Sequence, residues 1–264
     1  MSVVLNQGPW PSPAPRVRNL GQSATLAINA RSREMAANGR EVFRMGLGQS
    51  PFPVPAVMQS ALHAHVHEKD YLPVEGLRAL RESFCGYLRR TEGLDYLPEN
   101  VLIGPGTKEL MFLVQMVYRG DIVIPSPSWV SYAPQARIIG RKVEWLPTDM
   151  EQGLRVTPEA LEAVCAKDPV KPRLLIINYP GNPTGASYSA EQLQAIAEVA
   201  RRHRMVVLSD EIYSGLHFDG GHQSIARWYP EGTIISNGLS KWAGAGGWRL
   251  GAFAFPESLA WLHR

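Results

Sequence analysis

The sequence predicts an α/β fold: a mostly parallel, doubly wound sheet flanked by helices. From residue 100 onward, short apolar runs alternate with stretches of helical periodicity, the pattern of strands joined by crossover helices. Loops rich in glycine and proline follow several of these runs, at the strand ends where such sheets bind ligands. The composition, 45% hydrophobic and 19% charged over 264 residues, is that of an ordered globular chain. It leaves room for one large domain, or one large domain and part of a smaller one.

Taken in order, residues 1 to about 20 are rich in proline and glycine and read as an extended arm. Helical spacing follows over 25–38 and stops at Gly39, a candidate C-cap. The segment Gly46-Leu47-Gly48-Gln49-Ser50-Pro51-Phe52-Pro53 must be loop, and 57–66 reads as helix. Leu77, Leu80, Phe84, Tyr87 and Leu88 recur at helical spacing, which predicts an amphipathic helix over 75–91. Strands are predicted at 101–103, 122–124, 143–146, 174–178, 206–209, 233–237 and 250–255. Helices are predicted between them at 108–117, 158–166 and 190–202. Ser189 and Gln192 stand in capping-box spacing at the start of the last.

The net charge of +3 is small and the basic residues are scattered, so nothing calls for nucleic acid. Cys85 and Cys165 form neither a metal-ligand spacing nor a disulfide framework, which fits a reduced, cytoplasmic compartment. No apolar run approaches the ~20 residues of a membrane span, and the N-terminus lacks the pattern of a secretory signal. His63, His65 and His67 alternate, but only His63 and His67 share a helix face, with no acid at ligand spacing. A polar helix face, with no metal, is the expectation. Arg201, Arg202 and Arg204 suit the C-terminal end of a helix dipole.

Four loops carry the chemistry. Gly104-Pro105-Gly106-Thr107-Lys108 lies between a strand and a helix, where backbone N–H groups and the helix N-terminus favour an anion. Taken alone it is more often an ordinary strand-to-helix glycine turn. Asn178-Tyr179-Pro180-Gly181-Asn182-Pro183-Thr184-Gly185 is a rigid loop that offers the amide of Asn182. Ser209-Asp210-Glu211-Ile212-Tyr213 puts an acid at a strand end, either a helix N-cap or a site residue. The fourth loop runs through Ser240 and Lys241 into the glycine-rich stretch that ends at Gly247-Trp248-Arg249-Leu250-Gly251.

These motifs, in this order and at these separations, resemble fold-type-I pyridoxal-phosphate enzymes of the class I/II aminotransferase family. The matching motifs are N-x-P-x-N-P-T-G, D-E-x-Y, and S-K followed by G-W-R-L-G. The likeness runs from about residue 16 to the end. It implies that the cofactor is pyridoxal 5'-phosphate and that Lys241 holds it covalently. Asp210 should pair with its pyridine nitrogen, Asn182 and Tyr213 should hydrogen-bond its phenolic oxygen, and Trp129 should stack on its ring. The phosphate should meet the backbone at Gly106, Thr107 and Lys108, with Ser240 and Arg249. Tyr71 should reach the phosphate of a partner subunit, which implies a homodimer. Gly48 and Asn182 should face the substrate. Trp129, Tyr132 and Tyr179 suggest an aromatic-lined entrance. The implied organisation is an arm and part of a small domain over 1–50, and the cofactor-binding large domain over 51–264.

The implied reaction moves an amino group between an α-amino acid and a 2-oxo acid. A lyase or synthase of the same site chemistry, or a cofactor-binding module without turnover, are the alternatives. The chain departs from the family pattern in two places. Gly238 stands where many relatives carry a hydroxyl, with Ser236 and Ser240 as the nearby hydroxyls. The C-terminal small domain, which carries an arginine for the substrate carboxylate, is expected to be absent, leaving only Arg264 after Arg249. Such a chain is expected to bind cofactor, turn over weakly and expose apolar surface.

Overall fold

The computed structural model describes residues 14–18, 20–46, 48–218 and 221–263. Most of the predicted arm, with Leu47 and Arg264, lies outside the described residues. The strands are β1 (Val101–Gly104), β2 (Asp121–Ser126), β3 (Val143–Pro147), β4 (Arg173–Asn178), β5 (Val206–Asp210), β6 (Thr233–Gly238) and β7 (Gly251–Ala254). Each falls on a predicted run. They form one sheet in the order β1-β7-β6-β5-β4-β2-β3. The pairs from β6 through β5, β4 and β2 to β3 are parallel, whereas β7 is antiparallel to both β6 and β1.

Two antiparallel steps restore the direction. The carboxyl ends of β1, β6, β5, β4 and β2 therefore share one edge with the amino end of β7. At that edge Gly104 and Gly238 both register with Gly251. A Cβ on Gly251 would lie 2.3 Å from the Thr107 amide nitrogen, and one on Gly238 would lie 2.6 Å from the Leu250 carbonyl oxygen. The loops close over the edge only because these positions lack side chains.

The helices are α1 (Ala24–Ala37), α2 (Ala56–His65), α3 (Arg78–Glu92), α4 (Thr107–Val117), α5 (Tyr132–Ile138), α6 (Pro158–Ala166) and α7 (Ala190–Arg202). Alternate strand residues pack on opposite faces. Ile122, Ile124, Leu174, Ile176 and Leu208 meet Leu110 and Met111 of α4 and Ala136 of α5. Val123, Leu175, Ile177 and Val207 meet Leu161 and Val164 of α6 and Leu193 and Ile196 of α7. Each such side chain, fully withdrawn from water, contributes roughly 1.5–3 kcal/mol. The Ser189–Gln192 capping box forms at the start of α7. Leu88 of α3 packs with Val101, Ile235 and Ala254.

Two elements differ from the prediction. Helix α3 begins at Arg78 rather than residue 75, because Gly76 has φ +92° and a Cβ there would lie 2.6 Å from Ile103. Helix α5 was not anticipated: it is seven residues long and carries Pro134 in its first turn, where no helical N–H is needed. Helices α1 and α2 bury no residue, and Tyr71, after α2, is fully exposed. His65 and His67 approach Glu68 at 3.8 and 3.7 Å, an acid the spacing argument did not count. Among the described residues no group of three acidic, histidine or cysteine side chains could hold a metal. No helix among them is long and apolar enough to cross a membrane.

Candidate active site

Loops at the shared edge enclose a cavity of about 170 Å³. Thr107, Lys108, Trp129, Asn182, Asp210, Tyr213, Ser240, Lys241 and Arg249 all line it. Residues separated by more than 140 positions therefore converge there because their strands end at the same edge.

One wall is the turn from β1 to α4. Gly106 caps the helix with φ +97° and ψ 150°, a conformation open only to glycine. The Arg249 guanidinium fills the space beside it, so a Cβ on Gly106 would lie 2.1 Å from an Arg249 nitrogen. Arg249 has φ +56°, uncommon for a residue with a side chain, and donates to the Gly246 carbonyl at 2.9 Å. The first N–H groups of α4 and this guanidinium are groups that could hold an anion. Gly238, by contrast, packs against the Leu250 carbonyl oxygen, which an added Cβ would approach to 2.6 Å; Ser240, with its hydroxyl, lines the cavity instead.

Asp210 ends β5 and is buried, in register with Asn178 on one side and Ser236 on the other. Its carboxylate accepts from the Tyr132 hydroxyl at 2.5 Å and the Ser236 hydroxyl at 3.4 Å. Burial pushes its pKa up to about 6 against the opposing hydrogen bonds from Tyr132, the Ile212 backbone and Ser236. Burial, with the adjacent Asp210 charge, raises the Tyr132 phenol well above its ordinary value, so it remains the donor. Asn178 donates to the Asp210 carbonyl at 2.8 Å and accepts from the Asn182 backbone at 2.8 Å, joining two loops. Asn182 then donates to the Tyr213 hydroxyl at 3.2 Å.

Lys241 lies 5.4 Å from the Tyr213 ring centre and donates to the Gly48 carbonyl at 2.9 Å. Gly48 thus reaches the site by way of Lys241, although it does not line the cavity. Trp129 packs edge-on to Tyr132, ring centres 5.2 Å apart, with the Lys108 ammonium 5.5 Å from its ring. Tyr71 does not line the cavity. The aromatic entrance is corrected: Tyr132 and Tyr179 are both buried, Tyr132 on Asp210 and Tyr179 on Ser209 and the Ile225 amide. Sequence reasoning also missed Asn178 as a brace; the pair of asparagines flanking the loop was the available signal.

Fold and site define an α/β protein with a cavity at the carboxyl edge of its sheet, lined by Arg249 and the start of α4 and by the buried Asp210. The family model for aminotransferase class I and II matches residues 40–262, and the chain belongs to that family. It is 38% identical over 258 residues to an aspartate aminotransferase of Geobacillus stearothermophilus, covering 93% of this chain and 64% of the relative. It is 34% identical to an aspartate/prephenate aminotransferase of Cereibacter sphaeroides, covering 90% and 61%. An aspartate aminotransferase of Thermus thermophilus solved with maleate superposes with a TM-score of 0.89 at 33% identity, covering 96% of this chain and 66% of that one. The chain thus spans less than two thirds of the length of each. Members of the family depend on pyridoxal phosphate.

Proposed function

We propose that this chain is the cofactor-bearing part of a pyridoxal-phosphate-dependent aminotransferase, moving an amino group between an α-amino acid and a 2-oxo acid. The observation that carries the reading is the convergence of Lys241, Asp210, Asn182, Tyr213, Trp129 and Arg249 on one cavity. The residues fit the cofactor at both ends. A cradle that a Cβ would fill suits a phosphate, and a buried carboxylate lining the same cavity suits a protonated ring nitrogen. When bound, the cofactor supplies an aldehyde that reacts with amines and a ring that withdraws electrons.

The chain's own groups do the rest. The Arg249 guanidinium and the N–H groups of Gly106, Thr107 and Lys108, with Ser240, bind the phosphate. Asp210 holds the proton on the ring nitrogen, and Tyr132 and Ser236 fix its carboxylate. Asn182 and Tyr213 donate to the ring oxygen, and Trp129 covers the ring face. The Lys241 amine binds the cofactor and moves the proton at the substrate α-carbon. Relatives named for aspartate favour a dicarboxylic donor. A homodimer is favoured by the exposed Tyr71 and the uncovered apolar side chains of α2. The proposed division stays at residue 50, between the helix α1 side and the sheet domain.

The reading is tested by mixing the purified chain, loaded with pyridoxal phosphate, with aspartate. The expected result is conversion of the bound cofactor's absorbance from the lysine-linked to the amine form, with release of the 2-oxo acid. Release of pyruvate and ammonia instead would favour elimination. Gly106→Ala tests the cradle separately. A Cβ at φ +97° displaces the Arg249 guanidinium, and losing its charge-assisted contact with the phosphate, about 1.5–3 kcal/mol, predicts roughly 10–100-fold weaker cofactor binding. Equilibrium dialysis against pyridoxal phosphate measures it, and unaltered affinity would remove the phosphate from this wall.

A further inference from the structure

A second set of buried polar side chains lies behind the cavity and has no part in the chemistry above. Glu211, beside Asp210, is buried and does not line the cavity. Its Oε1 accepts from the Ser209 hydroxyl at 2.8 Å and the Ser224 hydroxyl at 2.6 Å. Its Oε2 lies 3.1 Å from His222 Nε2, and the His222 side chain is 3% exposed. The imidazole stacks on Tyr179, ring centres 5.1 Å apart and planes inclined by 22°. The Tyr179 hydroxyl meets the Ser209 hydroxyl at 3.1 Å and accepts from the Ile225 amide at 2.7 Å.

Behind the cavity, His222 therefore meets one residue from each of two segments that supply cavity-lining side chains. Tyr179 lies in the loop that carries Asn182, and Glu211 lies in the turn that carries Tyr213. Those two turns meet in the cavity through the Asn182–Tyr213 hydrogen bond of 3.2 Å. We propose that His222 is a positioning residue: a ring wedged between Tyr179 and Glu211 that sets the alignment of Asn182 and Tyr213 toward the cofactor's ring oxygen. The inference rests on the proposed cofactor site.

The electrostatics of the pocket around His222 favour the charged ring. The charged groups that face it are Glu211 and Glu92 on the acidic side and Arg227 on the basic side, with the Tyr179 ring on its flat face. Glu92 is held there by the Ser224 amide at 2.8 Å and Arg227 Nε at 3.1 Å. Burial lowers the proton affinity of His222, but Glu211 and then Glu92 outweigh it and raise the pKa above the ordinary 6.5. Neither ring nitrogen makes an aligned hydrogen bond among the described residues. Charge and stacking hold the ring, and loss of the proton leaves Glu211 buried without a cation. Because the folded value is raised, this contribution is complete below the unfolded pKa of about 6.5 and is lost as pH rises through the folded value.

Removing one partner of a buried pair is far more damaging than neutralising both, which supplies the test. The visible absorbance of the chain loaded with pyridoxal phosphate is titrated with pH for the unaltered chain, His222→Phe and Glu211→Gln/His222→Phe. Phenylalanine keeps the stacking on Tyr179 but strands the Glu211 carboxylate. The expected result is a chromophore midpoint raised by about one pH unit, a tenfold weaker preference for the ionised ring oxygen, with most of that shift reversed in the double variant. A folded His222→Phe chain with an unmoved midpoint would overturn the role. Nuclear magnetic resonance of the unaltered, cofactor-free chain keeps the test open if the variant does not fold. The His222 ring should titrate above 6.5, and the Asn182 side-chain amide and Tyr213 ring signals should follow the same titration. Signals that ignore it would equally overturn the proposal. An unaltered chain that takes up no cofactor would contradict the proposed function, while this second measurement would still decide whether His222 aligns the two side chains.

Discussion

Asp210→Asn is expected to lower cofactor affinity and turnover while stabilising the cofactor-free chain at neutral pH. The two effects have one cause. Asp210 is buried, and burial lifts its pKa from 3.8 to about 6 even against three hydrogen bonds. Between those values the folded chain holds a proton that the unfolded chain has released, so folding stability falls as pH rises through the window. About two pKa units correspond to roughly 3 kcal/mol, which asparagine removes. Thermal unfolding without cofactor should show the variant matching the unaltered chain below pH 4 and exceeding it at pH 8. With cofactor the order reverses. A cationic ring nitrogen facing a neutral amide loses on the order of 3–5 kcal/mol, a fall of roughly 10²–10⁴-fold in binding or turnover. A variant that keeps normal turnover would remove Asp210 from the reaction.

Lys241→Ala should cost more in turnover than any other change, while leaving the cavity in place. The side chain sits on a loop after β6, meets the Gly48 carbonyl and the Tyr213 ring, and joins none of the core clusters among the described residues, so truncation removes no core packing. Positioned proton transfer alone contributes ~10²–10⁴-fold, and covalent attachment adds to it. The expected loss is at least ~10³-fold in single-turnover rate with aspartate. Cofactor retained by the phosphate cradle and Asp210 should remain dialysable rather than fixed. If the alanine chain still held the cofactor covalently, another amine would be the point of attachment.

The strands were legible because a sheet covered on both faces turns each strand into a short apolar run, as in Leu174–Leu175–Ile176–Ile177. Their spatial order was not, since nothing local in Gly251–Ala254 says that it enters antiparallel between β1 and β6. Helix α5 escaped notice because seven residues with an internal proline give too little periodicity. In the site, nine of the expected residues line one cavity, since their loops stand at strand ends, whereas Gly48, Tyr71 and Gly106 do not line it. Tyr132 was read as an entrance aromatic, yet it donates to Asp210 from 78 positions away. Such partners come from the stacking of α5 on the sheet, which no local pattern encodes. His222 carries no local signature for the same reason: its meaning lies in Glu211 and Tyr179, brought together only by the fold.

Borohydride reduction of the purified chain in the presence of pyridoxal phosphate, followed by peptide mapping, bears most directly on the site. It should leave a single pyridoxyl group on the peptide containing Lys241, in a yield that falls when Gly106 carries a side chain. A label spread over surface lysines, or fixed at Lys108 instead, would mean that the amine, the buried acid and the anion cradle do not act on one ligand.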